Sequence, residues 1–265
     1  MKKIYVFALF ASLCFASALH AAALRVGASP APHAEILEAA ADDLKALGID
    51  LEIIEFTDYV KPNMSLSDGE IDANYFQHLP YLKSFCKDRG LKLVSVGSIH
   101  VEPMGFFSKR ISKIQDLKDG ALIALPGDPT NCGRALLLLQ SAGLIGLSPE
   151  AGLEATELDV TDNPKKLRFR SLEAAQLPRV LDDVDGAVIN GNYAIPAGLN
   201  PAKDALLVEG AQSPYANVIA VREGDEKRPE ITALLQVLQS PKVDAFIRGR
   251  YEGGVVPAFS SAVSK

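Results

Sequence analysis

The stretch Ala121-Leu-Ile-Ala-Leu-Pro-Gly-Asp-Pro-Thr-Asn-Cys-Gly-Arg-Ala-Leu-Leu-Leu-Leu-Gln140 holds the structural logic of the chain in miniature. Residues 121–125 form an apolar run of strand length, Pro126-Gly-Asp-Pro129 is turn chemistry, and a helical pattern runs over 131–142. A strand that turns directly into a helix is the repeating unit of a parallel sheet covered by helices. The same turn gathers Thr130, Asn131 and Arg134 at the helix start. Side-chain oxygens cap such a start, and its free N–H groups carry partial positive charge. A guanidinium one turn in makes this a receptor for a carboxylate or another small anion. The plain alternative is a capped helix with a surface arginine.

Outward from this unit the alternation continues in both directions. Strands are predicted over 24–28, 51–56 and 71–76, with a further apolar run over 91–96; helices are predicted over 34–47, 60–66 and 80–89. Beyond 142 the pattern predicts a short strand over 166–169, a helix over 172–181 despite Pro178, and a strand over 186–189. Two extended segments, 101–108 and 215–222, flank the second unit and read as paired crossover strands between two lobes. Helical patterns over 227–239 and 241–251 return to the first lobe. The expected organisation is α/β, with a leader over 1–22, a discontinuous first lobe over 23–103 and 223–265, and a second lobe over 104–222. The sheets are expected to be parallel-dominated with helices on both faces. Ligands of such sheets sit beyond the carboxyl ends of the strands, where the turn before Arg134 lies.

The ends and the composition narrow the function. Met1-Lys2-Lys3 precedes an almost wholly apolar run from 4 to 19 and a cluster of small residues, the pattern of a secretory leader. The run is shorter than the 20 or so residues of a membrane span, although an uncleaved leader would serve as an anchor. Cys14 follows Leu13 rather than a small residue, and Ala11 stands where a lipobox has leucine, so the local pattern argues against lipidation. Among 265 residues the net charge is −6, with no tryptophan, which disfavours nucleic acid as a partner. About 240 residues remain after the leader, enough for one large domain or two small ones. Cys86 and Cys132 are either a disulfide or two free thiols. His20, His33, His78 and His100 have no metal-ligand spacing.

Three further groupings have chemistry to offer. Asp72-Ala-Asn-Tyr-Phe-Gln-His-Leu-Pro-Tyr81 concentrates aromatics after a strand. Extended alternation puts Asn74, Phe76 and His78 on one side and Tyr75 and Gln77 on the other. Phe76 and His78, joined by Tyr81 and Tyr59, would then wall a cleft suited to a thioether or aliphatic tail; the alternative is aromatics sealing a core, with His78 capping its helix. Asn190 and Asn192, in Ile189-Asn-Gly-Asn-Tyr-Ala194, offer donors and acceptors at a strand exit, as would a plain turn. Asn217 faces the same cleft from the second crossover. As for catalysis, the chain lacks Gly-x-Ser-x-Gly, the phosphate-binding Gly-x-x-x-x-Gly-Lys and His-Glu-x-x-His. A Cys132/His78 nucleophile pair, with the thiol activated by the helix start, is the one enzymatic reading, and ligand clamps explain the neighbours better.

Several of these stretches resemble motifs of the NlpA/MetQ family, the methionine-binding receptors of bacterial ABC importers. They are Asn74-Tyr-Phe-Gln-His-Leu-Pro-Tyr-Leu82, Glu102-Pro-Met-Gly105, Asp128-Pro-Thr-Asn131 with Gly133-Arg-Ala-Leu-Leu-Leu-Leu-Gln140, Ser213-Pro-Tyr-Ala-Asn217 and Val255-Val-Pro-Ala-Phe259, in that order over 24–259. The resemblance implies a two-lobed type II periplasmic-binding-protein fold, hinged on two crossover strands, with no cofactor and no catalysis. It implies that Arg134 holds a ligand carboxylate with Asn131 beside it, and that Asn190, joined by Asn217, takes the amino-acid head. Tyr59, Phe76, His78 and Tyr81 would surround the methionine side chain. The implied partners are methionine, L-methionine first, and the permease and ATPase of an importer, met by a monomer in the periplasm. Methionine-containing dipeptides or derivatives are the alternative ligands, and surface adhesion the alternative role. Family members are commonly lipoproteins, from which this leader departs.

Overall fold

The computed structural model describes residues 23–210 and 213–259; the predicted leader lies outside the described residues. Strand β1 (Leu24–Ala28), helix α1 (Glu35–Ala46), β2 (Leu51–Glu55), α2 (Lys61–Ser67), β3 (Ala73–His78), α3 (Leu79–Arg89) and β4 (Leu93–Val101) follow in order. The link 102–104 leads to β5 (Gly105–Phe107), β6 (Leu122–Pro126), α4 (Pro129–Ser141) and a small antiparallel pair, β7 (Gly146–Leu147) with β8 (Val160–Asp162). Then come β9 (Arg168–Leu172), β10 (Gly186–Ile189), α5 (Gly191–Ala194), α6 (Pro201–Asp204) and β11 (Leu207–Val208). The chain returns through β12 (Asn217–Arg222), α7 (Pro229–Leu238), α8 (Pro241–Tyr251) and β13 (Val256–Pro257).

Two large sheets result, ordered β13-β4-β12-β3-β1-β2 and β11-β5-β10-β6-β9. The first packs α1, α7 and α8 on one face through Ile36, Leu37, Ile231, Leu234 and Ile247, and buries Leu66 and Leu82 of α2 and α3 on the other. The second packs α4 through Leu136 and Leu139 on one face, and Leu177 and Leu181 on the other. Apolar burial on both faces of each sheet explains why strands such as Gly186–Ile189 read as continuous apolar runs.

The structure corrects three expectations. The sheets are mixed, not parallel-dominated: β12 runs antiparallel to β3 and β4, and β5 runs antiparallel to β10 and β11. A strand that re-enters a sheet from the other half of the molecule need not run with its neighbours, because no helical crossover of the βαβ kind constrains it. Second, the segments 101–108 and 215–222 do not pair with each other. β12, expected with the second unit, lies in the first sheet with Asn217 opposite His100, whereas β5 lies in the second. Third, the predicted helix over 172–181 is a 3₁₀ segment, Ala174–Val180. Pro178 lacks the N–H that an α-turn there needs, and its ring crowds the preceding turn.

Helix α4 sits close to the backbone of the 152–155 turn. A β-carbon on Gly133 would lie 2.4 Å from the Leu153 carbonyl oxygen and 2.7 Å from the Ala155 nitrogen. Neither backbone atom can rotate away, so Gly133→Ala is expected to destabilise the fold by about 1–3 kcal/mol. Urea denaturation would register this as a lower midpoint at unchanged slope.

Candidate functional site

A small cavity lies between the two sheets. Tyr59, Phe76, Gln77, His78, Tyr81 and Asn217 line it from the first sheet and its helices. Asn131, Arg134, Asn190, Gly191 and Asn192 line it from the second, and Glu102 from the link between them. All eight residues singled out from sequence therefore border one space.

Their hydrogen bonds depart from the roles the sequence predicts. The α4 start is not an open anion site, because Asp128 occupies it. Asn131 N–H and Nδ2 donate to Asp128 Oδ1 at 2.9 Å each, and Thr130 Oγ1 donates to the same oxygen at 3.1 Å. Asn131 then serves as a junction: its Oδ1 accepts from Asn190 Nδ2 at 2.7 Å and from His78 Nε2 at 3.1 Å. His78 also caps α3, its Nδ1 accepting from Tyr81 N–H, which puts the ring proton on Nε2. Burial, then the nearby Arg134 charge, lowers the His78 pKa to about 3, so the ring is neutral.

Gln77, expected opposite Phe76 and His78, borders the cavity, and Asn74 does not. The β3–β12 ladder pairs Gln77 with Val218 and Tyr75 with Ile219, skipping Phe76, so a bulge breaks the two-residue alternation. Asn74 and Gln77 thereby share a buried amide cluster with Asn63. The aromatic wall forms as expected: the Tyr59 centroid lies 6.0 Å from Phe76, 5.7 Å from Tyr81 and 5.1 Å from Tyr193. Tyr59 Oη donates to Asn192 Oδ1 at 2.6 Å, joining the two sides of the cavity.

Arg134, 3% exposed, is held on three sides. Its Nε and Nη2 donate to Glu209 Oε1 and Oε2 at 3.0 and 2.5 Å, and Nη2 also donates to the Glu102 carbonyl at 2.8 Å. The Tyr215 ring lies under the guanidinium at 4.3 Å. Nη1 is left without a protein acceptor among the described residues.

Sequence reasoning assigned no role to Glu102 or Glu209, although the first lies in a quoted motif. Glu102 is 4% exposed and accepts from His100 Nε2 at 2.9 Å, with His33 Nε2 at 3.3 Å. His33 Nε2 also donates to Asn217 Oδ1 at 3.0 Å. Tyr75 Oη donates to His100 Nδ1, completing a chain into the first sheet. Burial lowers His33 to about 4 and His100 to about 3, and raises the Glu102 carboxyl above its ordinary value. His33, His100 and Glu102 converge closely enough to bind a metal, but hydrogen bonds already engage the three converging atoms. Gly191 is required beside this carboxylate, since a β-carbon there would sit 2.8 Å from Glu102 Oε2.

Asn190 Oδ1 and Asn192 Nδ2 are buried without a protein partner among the described residues. The cavity thus presents one cationic N–H end, one carboxylate, a bare acceptor and a bare donor beside an aromatic wall. Cys132 is not an activated nucleophile: burial and the neighbouring Glu157 carboxylate push its thiol up to about 11. Cys86 and Cys132 are both free thiols. Among the described residues no helix is long and apolar enough to cross a membrane.

The family model described as NlpA lipoprotein matches residues 24–259. The chain is 50% identical over 211 residues to the D-methionine-binding lipoprotein MetQ of Salmonella typhimurium LT2, covering 79% of this chain and 78% of that protein. A nutrient-binding protein from Burkholderia cenocepacia, solved bound to methionine, superposes with a TM-score of 0.87 at 48% identity over 89% of this chain and all of that one. An ABC-transporter periplasmic substrate-binding protein from Coxiella burnetii superposes at 0.86 with 50% identity, over 89% of this chain and all of that one.

Because Asp128 both caps α4 and tethers Asn131, Asp128→Ala is expected to destabilise the protein by about 1–2 kcal/mol. Asp128→Asn retains a capping oxygen and should lose less. Comparing the denaturation midpoints of the two variants tests the assignment.

Proposed function

This chain belongs to the NlpA lipoprotein family, and from that premise we propose that it is the substrate-binding receptor of an ABC importer, capturing methionine and catalysing nothing. The observation that carries the reading is the pairing of ends across the cavity. Arg134 Nη1 and the bare Asn192 Nδ2 donor suit an α-carboxylate, whereas the Glu102 carboxylate and the bare Asn190 Oδ1 acceptor suit an α-ammonium. The distance of the aromatic wall from these groups is left to the thioether tail, whose sulfur packs favourably on ring edges. Tyr59, Phe76, Tyr81 and His78 take that role, and Asn131 and Asn217 position their neighbours. The close relatives are named for D-methionine, so both enantiomers belong among the ligands tested.

In this reading the two sheets are the cores of two lobes. The first comprises 23–101 and 217–259 and the second 105–208, with the link 102–104 and the described residues 209, 210 and 213–216 between them as the hinge. The contacts of Tyr59 with Asn192 and of His78 with Asn131 are closure contacts that ligand binding would reinforce. A monomer delivering its ligand from outside the cytoplasm to a permease and its ATPase follows, with the 1–22 segment as export leader.

Calorimetry on ligand-stripped protein is expected to give saturable one-to-one binding of methionine; absence of heat and of thermal shift with either enantiomer would overturn the reading. Arg134→Ala should weaken that binding by more than about 2 kcal/mol, roughly thirtyfold. The pH dependence has a defined sign. Burial holds the Glu102 carboxyl above its ordinary range, so acid protonates it early and removes the ammonium's acceptor. Methionine affinity should therefore rise with pH through that raised value and level off above it. His33, His78 and His100 stay neutral above about pH 5, given their lowered values. Glu102→Gln should flatten the profile, and a wild-type profile already flat over this range would exclude the role.

A further inference from the structure

We propose that Glu209 is a specificity-determining residue: by engaging Arg134 it makes the cavity select its ligand through the ammonium end rather than the carboxylate end. This rests on the receptor reading above and goes beyond it, because an arginine in an amino-acid site would ordinarily make the carboxylate the dominant handle.

The geometry of the guanidinium carries the argument. Its side-on edge, Nε with Nη2, is taken by the two Glu209 oxygens. The second Nη2 hydrogen goes to the Glu102 carbonyl. The end-on edge, Nη1 with Nη2, is therefore also closed to a two-pronged carboxylate, and a ligand meets Nη1 alone. Tyr215 beneath the plane prevents the group from tilting to free another edge. Glu209 is itself held, accepting from Ser213 Oγ at 3.2 Å and from Met104 N–H at 3.5 Å. Its side chain is 16% exposed, so water screens the pair weakly.

The charges around the cavity point the same way. Glu209 cancels the Arg134 charge, Glu102 adds a carboxyl to the cavity lining, and His33, His78 and His100, neutral through burial, add no positive charge. Asp128, the remaining carboxyl nearby, is turned onto the α4 cap. An anion without an amino group meets a guanidinium already neutralised by Glu209, with Arg134 Nη1 and the Asn192 Nδ2 donor as its handles. A cation whose carboxylate is masked retains its acceptors. Excluding competitors by unfavourable charge is a recognised route to specificity.

Three probes of similar shape separate the two ends: methionine as zwitterion, methioninamide as cation and 4-(methylthio)butanoate as anion. Their affinities for ligand-stripped protein would be measured by calorimetry at about pH 6, where the amide keeps its charge. The wild type is expected to bind the amide more tightly than the butanoate. Glu209→Gln keeps the side-chain shape while removing its charge, and should shift the butanoate-to-amide ratio toward the anion by about tenfold or more. Ser213→Ala, which loosens Glu209 without touching Arg134, should shift the ratio in the same direction by a smaller factor, and it decides the matter if Glu209→Gln lacks a cooperative thermal transition. A ratio that stays within roughly twofold of wild type in each folded variant, with methionine still bound, overturns this inference and leaves the receptor reading intact. A wild type that prefers the butanoate also overturns it. A wild type that binds none of the three removes both.

Discussion

A guanidinium withdrawn from water must have its charge met by neighbours, and the way Arg134 meets that requirement organises the centre of this protein. Its partners are Glu209, on the link that leaves the second sheet, and the carbonyl of Glu102, on the link that enters it. One side chain on α4 is thereby bonded to both segments that connect the sheets. Glu102 also borders the cavity, next to Gly191, where a larger residue would not fit. The positions of Arg134 and of the Glu102 backbone are consequently one constraint.

On the far side of Glu102 the constraint passes into the first sheet through hydrogen bonds of fixed polarity. Tyr75 donates to His100, and His100 donates to Glu102. His33 reaches both Glu102 and Asn217, so it touches one connecting segment and the first residue of the strand that follows the other. Neutral imidazoles suit this task because each offers a single directed proton on Nε2. Protonated rings would add charge to a space that already holds an ionised pair. Burial, which keeps the rings neutral, is thus part of how the donors stay aligned.

Much of this was legible in the sequence. Strand and helix alternation carried through nearly the whole chain, and the eight residues expected at the site border a single cavity. What escaped has a common cause: it depends on partners distant in sequence. Nothing local to Asn217 says that its strand pairs with β3 and β4, and nothing local to Phe76 announces the bulge that turns Gln77 toward the cavity. Glu102 and Glu209 lie in non-periodic links, where a carboxylate looks like any solvated residue until its partner is placed beside it. The helix start before Arg134 misled for the opposite reason. It has the composition of an anion site, and the residue that fills it, Asp128, was in plain view as part of the same turn.

That self-filled helix start also bears on what the cavity ignores. A helix N-terminus with open N–H groups is indifferent to which oxyanion it holds, and phosphate and sulfate would suit it as well as a carboxylate. With Asp128 folded onto α4, the helix offers no such general-purpose cradle. A receptor built this way remains free for scarce organic zwitterions in surroundings rich in inorganic salts. Its occupancy then reports the supply of one nutrient rather than the ionic background.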